Sequence, residues 1–226
     1  CVYKHRASRY LKIKKVNNMR NITTLFLLLI YVAGHCQLQT FKAPISQWGH
    51  TANAVLYVPE EAKTNPAKKF PAIIFFHGTG EAGTDVNRLI NGPFLNLIKN
   101  GFNPSATNPY TGVQEQFIVI AAQGADWCLA PAAMNIAYDY IVSTYKVPVD
   151  SNRIYVTGLS AGGQGSLKWA IEYPNLTAAL VPASPGALEP VYVPRVTEIA
   201  KDSIPVWFWS GASDPTFTST ANAYSA

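Results

Sequence analysis

Histidine is scarce in this chain of 226 residues, and none of the four (His5, His35, His50 and His77) lies beyond residue 77. Any step that needs an imidazole late in the chain has none to draw on there. Cysteine is scarcer still, at Cys1, Cys36 and Cys128. Once a leader ending near residue 36 is set aside, Cys128 stands alone and an intramolecular disulfide is excluded. Charged residues reach only 14% against 48% hydrophobic, which excludes a disordered chain and suits one globular domain with a real core. The apolar stretch Ile22–Ala33 is about a dozen residues, against the roughly 20 that span a bilayer, so stable membrane insertion is not expected. Internal repeats, low-complexity tracts and a linker that would split the domain are all missing.

The net charge of +5 invites a nucleic-acid reading until its distribution is considered. Seven of the 18 basic residues fall in residues 1–36, which hold no acid, leaving 11 basic against 13 acidic residues in the rest. The basic character belongs to the leader, and nucleic acid is dropped as a partner. Within that leader, Met19-Arg20-Asn21 gives a short positive start, Ile22–Ala33 an apolar segment, and Gly34-His35-Cys36-Gln37 a terminus. This is the layout of a secretory signal peptide over 19–36, cleaved near Cys36 and Gln37, and it predicts a secreted or periplasmic protein. Residues 1–18 begin with Cys, are basic and featureless, and read as sequence upstream of the true start. The folded domain is expected over 37–226.

From there strand-like and helix-like signals alternate. Ala52–Val58, Phe70–Phe76, Phe117–Ala122, Arg153–Thr157, Ala178–Val181 and Pro205–Ser210 read as strands, with Phe70–Phe76 nearly continuous in apolar residues, as in a strand covered on both faces. Helices are predicted over Leu89–Asn100, Pro131–Tyr145, Ala161–Tyr173 and Val196–Lys201, and residues 103–115 as a loop. Short strands separated by helix-length segments imply βαβ crossovers and a doubly wound, mostly parallel sheet. In such sheets ligands sit beyond the carboxyl ends of the strands.

Three segments with chemical content lie at those ends. Gly158-Leu159-Ser160-Ala161-Gly162 fits G-x-S-x-G between a strand and a helix, the setting in which a serine becomes an exposed nucleophile. The bland alternative is a glycine-rich turn that serves only strand-helix packing. His77-Gly78-Thr79-Gly80-Glu81 follows an earlier strand, and the Thr79 amide, with that of Ala161, could serve as the two donors an acyl-transfer oxyanion needs. His77 itself is expected to be structural rather than a base, since it belongs to the donor loop. Ser210-Gly211-Ala212-Ser213-Asp214-Pro215 places Asp214 where an acid could orient a histidine. An ordinary Asp-Pro turn is the alternative there.

On Pro71–Asp85, Asp150–Gly163 and Ile204–Pro215, the chain resembles α/β-hydrolases over about residues 50–226, in the secreted esterase or predicted-peptidase branch related to prolyl oligopeptidase catalytic domains and polyhydroxybutyrate depolymerases. The resemblance implies a serine hydrolase with Ser160 as nucleophile, Asp214 as triad acid, and Thr79 and Ala161 as oxyanion donors. It implies no metal and no organic cofactor. Gln123 and Trp127 match a stretch where relatives carry Pro-Gln and a pocket tryptophan, which makes Trp127 a pocket candidate. Carboxylic esters, small or polysaccharide-linked, are the implied substrates, with peptides and a non-catalytic binding role as the alternatives. Ser210 departs from the histidine many relatives have before the glycine. The larger departure is the base: in the family it follows the acid, yet only 12 residues follow Asp214. The expectation is therefore a C-terminally truncated domain lacking its last strand and helix, with Thr218–Ala226 opening the helix that leads there, and with little turnover.

Overall fold

The computed structural model describes residues 38–47, 49–65, 67–211 and 213–214. The predicted leader and signal peptide, and the helix predicted from Thr218, lie outside the described residues. In chain order the elements are β1 (Leu38–Gln47), β2 (His50–Tyr57), α1 (Glu60–Thr64), β3 (Phe70–Phe76), α2 (Val86–Ile90), α3 (Pro93–Lys99), β4 (Ser105–Thr107), β5 (Gln114–Gln116), β6 (Ile118–Ala122), α4 (Pro131–Tyr145), β7 (Val149–Leu159), α5 (Ala161–Glu172), β8 (Ala179–Ala183) and α6 (Val196–Lys201). Six strands form one sheet in the order β1-β2-β6-β3-β7-β8, and β4 and β5 form a separate small hairpin. Within the sheet β2 alone runs against its neighbours; β6, β3, β7 and β8 are parallel.

The apolar run Phe70–Phe76 becomes the centre of this sheet because it can be buried on both sides. Phe75 joins Val55, Val119 and Ala121 under Leu89 of α2 and Leu95 and Ile98 of α3. Ile74 and Phe76 turn to the opposite face, with Ile120, Val156, Met134 and Ile141 of α4, and Leu167 and Trp169 of α5. Helices on both faces make the sheet doubly wound, and the side-chain period of two divides its strands between two cores.

Several predicted bounds need correction. Leu89–Asn100 is two helices: Asp85 caps α2 by accepting from the Asn87 amide at 2.9 Å, and Pro93 opens α3, where its fixed φ suits a first turn but not an interior. Residues 103–115 include the strands of a hairpin, paired from Ser105–Gln116 to Thr107–Gln114. Leu38–Gln47 is a strand that the alternation conceals, because Pro44 sits inside it; it is an edge strand whose register shifts between Lys42 and Ser46. Pro205–Ser210 runs beside β8 through two isolated parallel bridges, Leu180–Val206 and Ala183–Trp209, rather than as a continuous strand. Among the described residues no helix is long and apolar enough to cross a membrane, and no group of three or more His, Cys, Asp or Glu could hold a metal ion.

Candidate active site

Strand β7 ends at Leu159 and α5 begins at Ala161, so the whole reversal falls on Ser160. Its backbone stands at φ 58° and ψ −116°, a left-handed conformation that a non-glycine residue adopts only where its surroundings fix it. Those surroundings are main chain: the Ser160 amide donates to the Ala183 carbonyl at 2.9 Å, and its carbonyl accepts from the Gln164 and Gly186 amides, both at 3.1 Å. The neighbouring glycines are obligatory. A Cβ on Gly158 would lie 2.3 Å from the Gly162 carbonyl oxygen, and one on Gly162 would lie 1.9 Å from that of Phe76. The Ser160 side chain is exposed and does not cap its own helix. Its hydroxyl thus stands free beside the first-turn amides of a 12-residue helix, where donors and dipole favour negative charge.

The loop after β3 lies alongside. Register pairs Phe76 with Gly158, and a Cβ on Gly78 would meet Leu159 O at 3.3 Å and Ser160 Cβ at 3.9 Å. Thr79, the next residue, is exposed and opens a short 3-10 turn to Glu81, and among the described residues nothing accepts from its amide. His77 is fully buried and committed: its Nε2 accepts from the Gly124 amide at 2.9 Å, which leaves Nδ1–H to donate to the Gly78 carbonyl at 2.7 Å. Burial pushes its pKa below the ordinary histidine value. Both nitrogens are occupied by neighbouring loops, and the imidazole acts as a clamp on the turn that carries Thr79.

Asp214 lies beyond the end of the Pro205–Ser210 segment, partly buried, with Oδ2 accepting from the Ser210 hydroxyl at 3.3 Å. Ser210 in turn meets the Ser184 hydroxyl at 3.3 Å, and Ser184 follows the Ala183 carbonyl that holds Ser160. Ser210, where the resembled hydrolases carry a histidine, therefore bonds directly to Asp214. Trp127 is 46% exposed, and its indole N–H donates to Gln164 Oε1 at 3.2 Å, one turn past Ser160. The structure thus sets Gly78-Thr79, Ser160-Ala161, Asp214 and Trp127 along one edge of the sheet.

Sequence reasoning missed the frame that holds this edge. Gln123, noted only as a match to relatives, is buried, and its Nε2 donates to the carbonyls of Glu81 and Asp85, both at 2.8 Å. Asn53 of β2 donates to Gln123 Oε1 at 2.6 Å and to the Thr84 carbonyl at 3.0 Å. Glu81 is buried as well, packed so closely on Gly92 that a Cβ there would lie 2.7 Å from its carboxylate. Burial pushes its pKa up, while amide hydrogen bonds and the Arg88 charge pull it back. On the far side, α5 ties down the segment after β8: Gln164 donates to the Ala187 carbonyl, Lys168 pairs with Glu189 at 2.9 Å, and Glu172 accepts from the Tyr192 hydroxyl. Only the i, i+4, i+8 spacing of those three helical residues could have been read in advance.

A sheet with one reversed strand second from its edge, helices on both faces and a strained serine between strand and helix defines the α/β-hydrolase fold, and solved structures of that fold superpose on this chain. A thermostable esterase matches with a TM-score of 0.52 at 19% identity, over 84% of this chain, which spans 60% of the esterase. The feruloyl esterase module of Clostridium thermocellum, solved with sinapinate, gives 0.54 at 15% identity, over 84% of this chain and 74% of that one. S-formylglutathione hydrolase (FrmB) of Staphylococcus aureus gives 0.53 at 14%, over 82% and 81%. No family model and no curated protein matches the sequence.

Proposed function

We propose that this chain belongs to a secreted serine hydrolase of carboxylic esters. The observation that carries the reading is Ser160 itself: an exposed hydroxyl held at positive φ by main-chain bonds, beside unpaired amides of a loop and a helix start. Ser160 Oγ attacks the ester carbonyl, and the oxyanion accepts from the Thr79 and Ala161 amides, each such donor being worth roughly 3 kcal/mol in acyl transfer. The alcohol leaves, and water then releases the acid from the acyl-enzyme. Asp214 is the acid of the triad. The esterase names of the superposable structures and the apolar segment of residues 19–36 support the ester and export parts of the reading.

Turnover also needs a base, and none of the described residues supplies one. His77 is clamped by two loops, and His50 lies at the start of β2, across the sheet from β7. That observation favours a second reading, a non-catalytic binding protein on the same fold, and it predicts for this chain only the residual catalysis left when a triad member is removed. Trapping separates the two. A version of the protein that includes a triad base is incubated with p-nitrophenyl acetate, quenched in acid and mapped by mass spectrometry. An acetyl group on the Ser160 peptide, absent from Ser160→Ala, is the expected result; folded protein that never acquires it is a binding protein.

A further inference from the structure

We propose that the turn after β6, residues Gln123–Cys128, is a clasp that fixes the spacing of the two oxyanion donors, with Gly124 and Cys128 as the positioning residues at its ends. The Thr79 amide comes from the loop after β3 and the Ala161 amide from the start of α5, segments far apart in sequence. A reacting or stabilising group misplaced by about 1 Å costs on the order of 10²-fold in rate, so donors on separate elements need a common support. The turn after β6 bonds to both.

On the loop side, the Thr79 N–H belongs to the peptide unit whose oxygen is the Gly78 carbonyl, and His77 Nδ1–H donates to that oxygen at 2.7 Å. The imidazole is aimed there by the Gly124 amide, which donates to Nε2 at 2.9 Å. The Gly124 carbonyl accepts from the Gly83 amide at 2.9 Å, and the Gln123 side chain donates to the Glu81 and Asp85 carbonyls. The loop is thus tied to one end of the turn both before and after Thr79. On the helix side, the Cys128 thiol donates to the Ala161 carbonyl at 3.0 Å, and the Trp127 indole N–H reaches Gln164 Oε1 one helical turn further on. Burial pushes the Cys128 pKa up to about 11, so the thiol keeps its proton at neutral pH and remains a donor. It is seated against α5, where a Cβ on Gly165 would lie 3.0 Å from Sγ.

Between these two ends the turn is closed on itself. A Cβ on Gly124 would lie 1.8 Å from the Trp127 carbonyl oxygen, so the residue that holds His77 is pressed against the one that holds Gln164. A displacement of Cys128 is therefore passed through Gly124 and His77 to the Gly78–Thr79 peptide, and the two donor amides move together. The effect on rate rests on the hydrolase reading; the coupling of the two amides does not.

The first test needs no turnover. In amide NMR spectra of the 226-residue chain, Cys128→Ala is expected to shift the Thr79 resonance as well as that of Ala161, and Cys128→Ser, whose hydroxyl donates to the same carbonyl, is expected to return Thr79 to its parental position. Shifts confined to α5, or a Thr79 resonance that the serine variant leaves displaced, would overturn the proposal. The second test measures p-nitrophenyl acetate turnover in a version of the protein that includes a triad base. Loss of a whole oxyanion donor costs about 10²–10³ in kcat, and Cys128→Ala, which displaces one, is expected to cost about tenfold with KM unchanged. Cys128→Ser is expected to recover kcat to within about twofold. An unchanged kcat in the alanine variant, a loss that falls on KM instead, or a serine variant as slow as the alanine one would equally overturn it. Gly124→Ala is expected to be slower than either; if it does not fold, the Cys128 pair decides. A parent protein that shows the NMR coupling but never turns over would refute the hydrolase reading alone.

Discussion

His77 shows how little a residue's type says about its task. In a serine-hydrolase setting a buried imidazole next to the donor loop invites the role of base, yet its Nε2 must remain an acceptor for the Gly124 amide. Protonation would turn that acceptor into a donor facing a donor. Its folded pKa lies below the unfolded value, so the unfolded chain takes up the proton first as the medium is acidified. The His77 contribution is complete above the unfolded pKa of about 6.5 and is lost as pH falls through that value toward the folded one. Glu81, raised by burial, has the opposite sign: it opposes folding at neutral pH and ceases to do so once protonated. Urea midpoints between pH 7.5 and 5 should therefore fall for the parent protein, by at most about 1.4 kcal/mol per pH unit from one group. In His77→Gln that slope should flatten or reverse; an unchanged slope would mean the imidazole is not held neutral.

At the scale of elements, α5 does two things with two faces. Its first turn carries the serine reversal, and its polar stripe Gln164, Lys168 and Glu172 secures residues 187–192. The Lys168 side chain is only 11% exposed while Glu189 is 47% exposed, so removing the lysine breaks a pair with one buried partner. Lys168→Ala should cost about 1–2 kcal/mol in chemical denaturation and should raise proteolytic cutting near Glu189. Loss of stability without new cutting would assign Lys168 to packing alone.

The same elements mark what could be read in the sequence. Phe70–Phe76, Pro131–Tyr145 and Val196–Lys201 have the bounds their patterns predict, because burial, a proline start and helical spacing each act locally. Leu38–Gln47 was hidden because an edge strand tolerates proline and needs only one buried face. The single helix expected from Leu89 divides in two because the Asp85 cap starts one helix at Val86 and the Gly92-Pro93 step opens another. The serine reversal was legible from its glycines. The Gln123 frame was not, because a side chain bonded to carbonyls 38 and 42 residues away leaves no trace in spacing.

For the whole molecule, the sheet is the instrument that converts local signals into a site. Parallel strands β6, β3, β7 and β8 deliver their following loops to one edge, and the reversed β2 adds His50 to that edge from the other direction. The pieces proposed for an acyl-transfer site, Ser160, the Thr79 and Ala161 amides and Asp214, are brought to that edge by the fold, while the described residues hold no base for them. The account stands or falls on Ser160 being the reactive group. The most direct measurement is labelling, with a fluorophosphonate, of a folded version of the protein that includes a triad base, with the adduct located by peptide mapping. The account predicts one adduct, on Ser160, that disappears in Ser160→Ala while His77→Gln still labels. A folded protein that stays unlabelled, or that carries the label equally well without the serine, would contradict it.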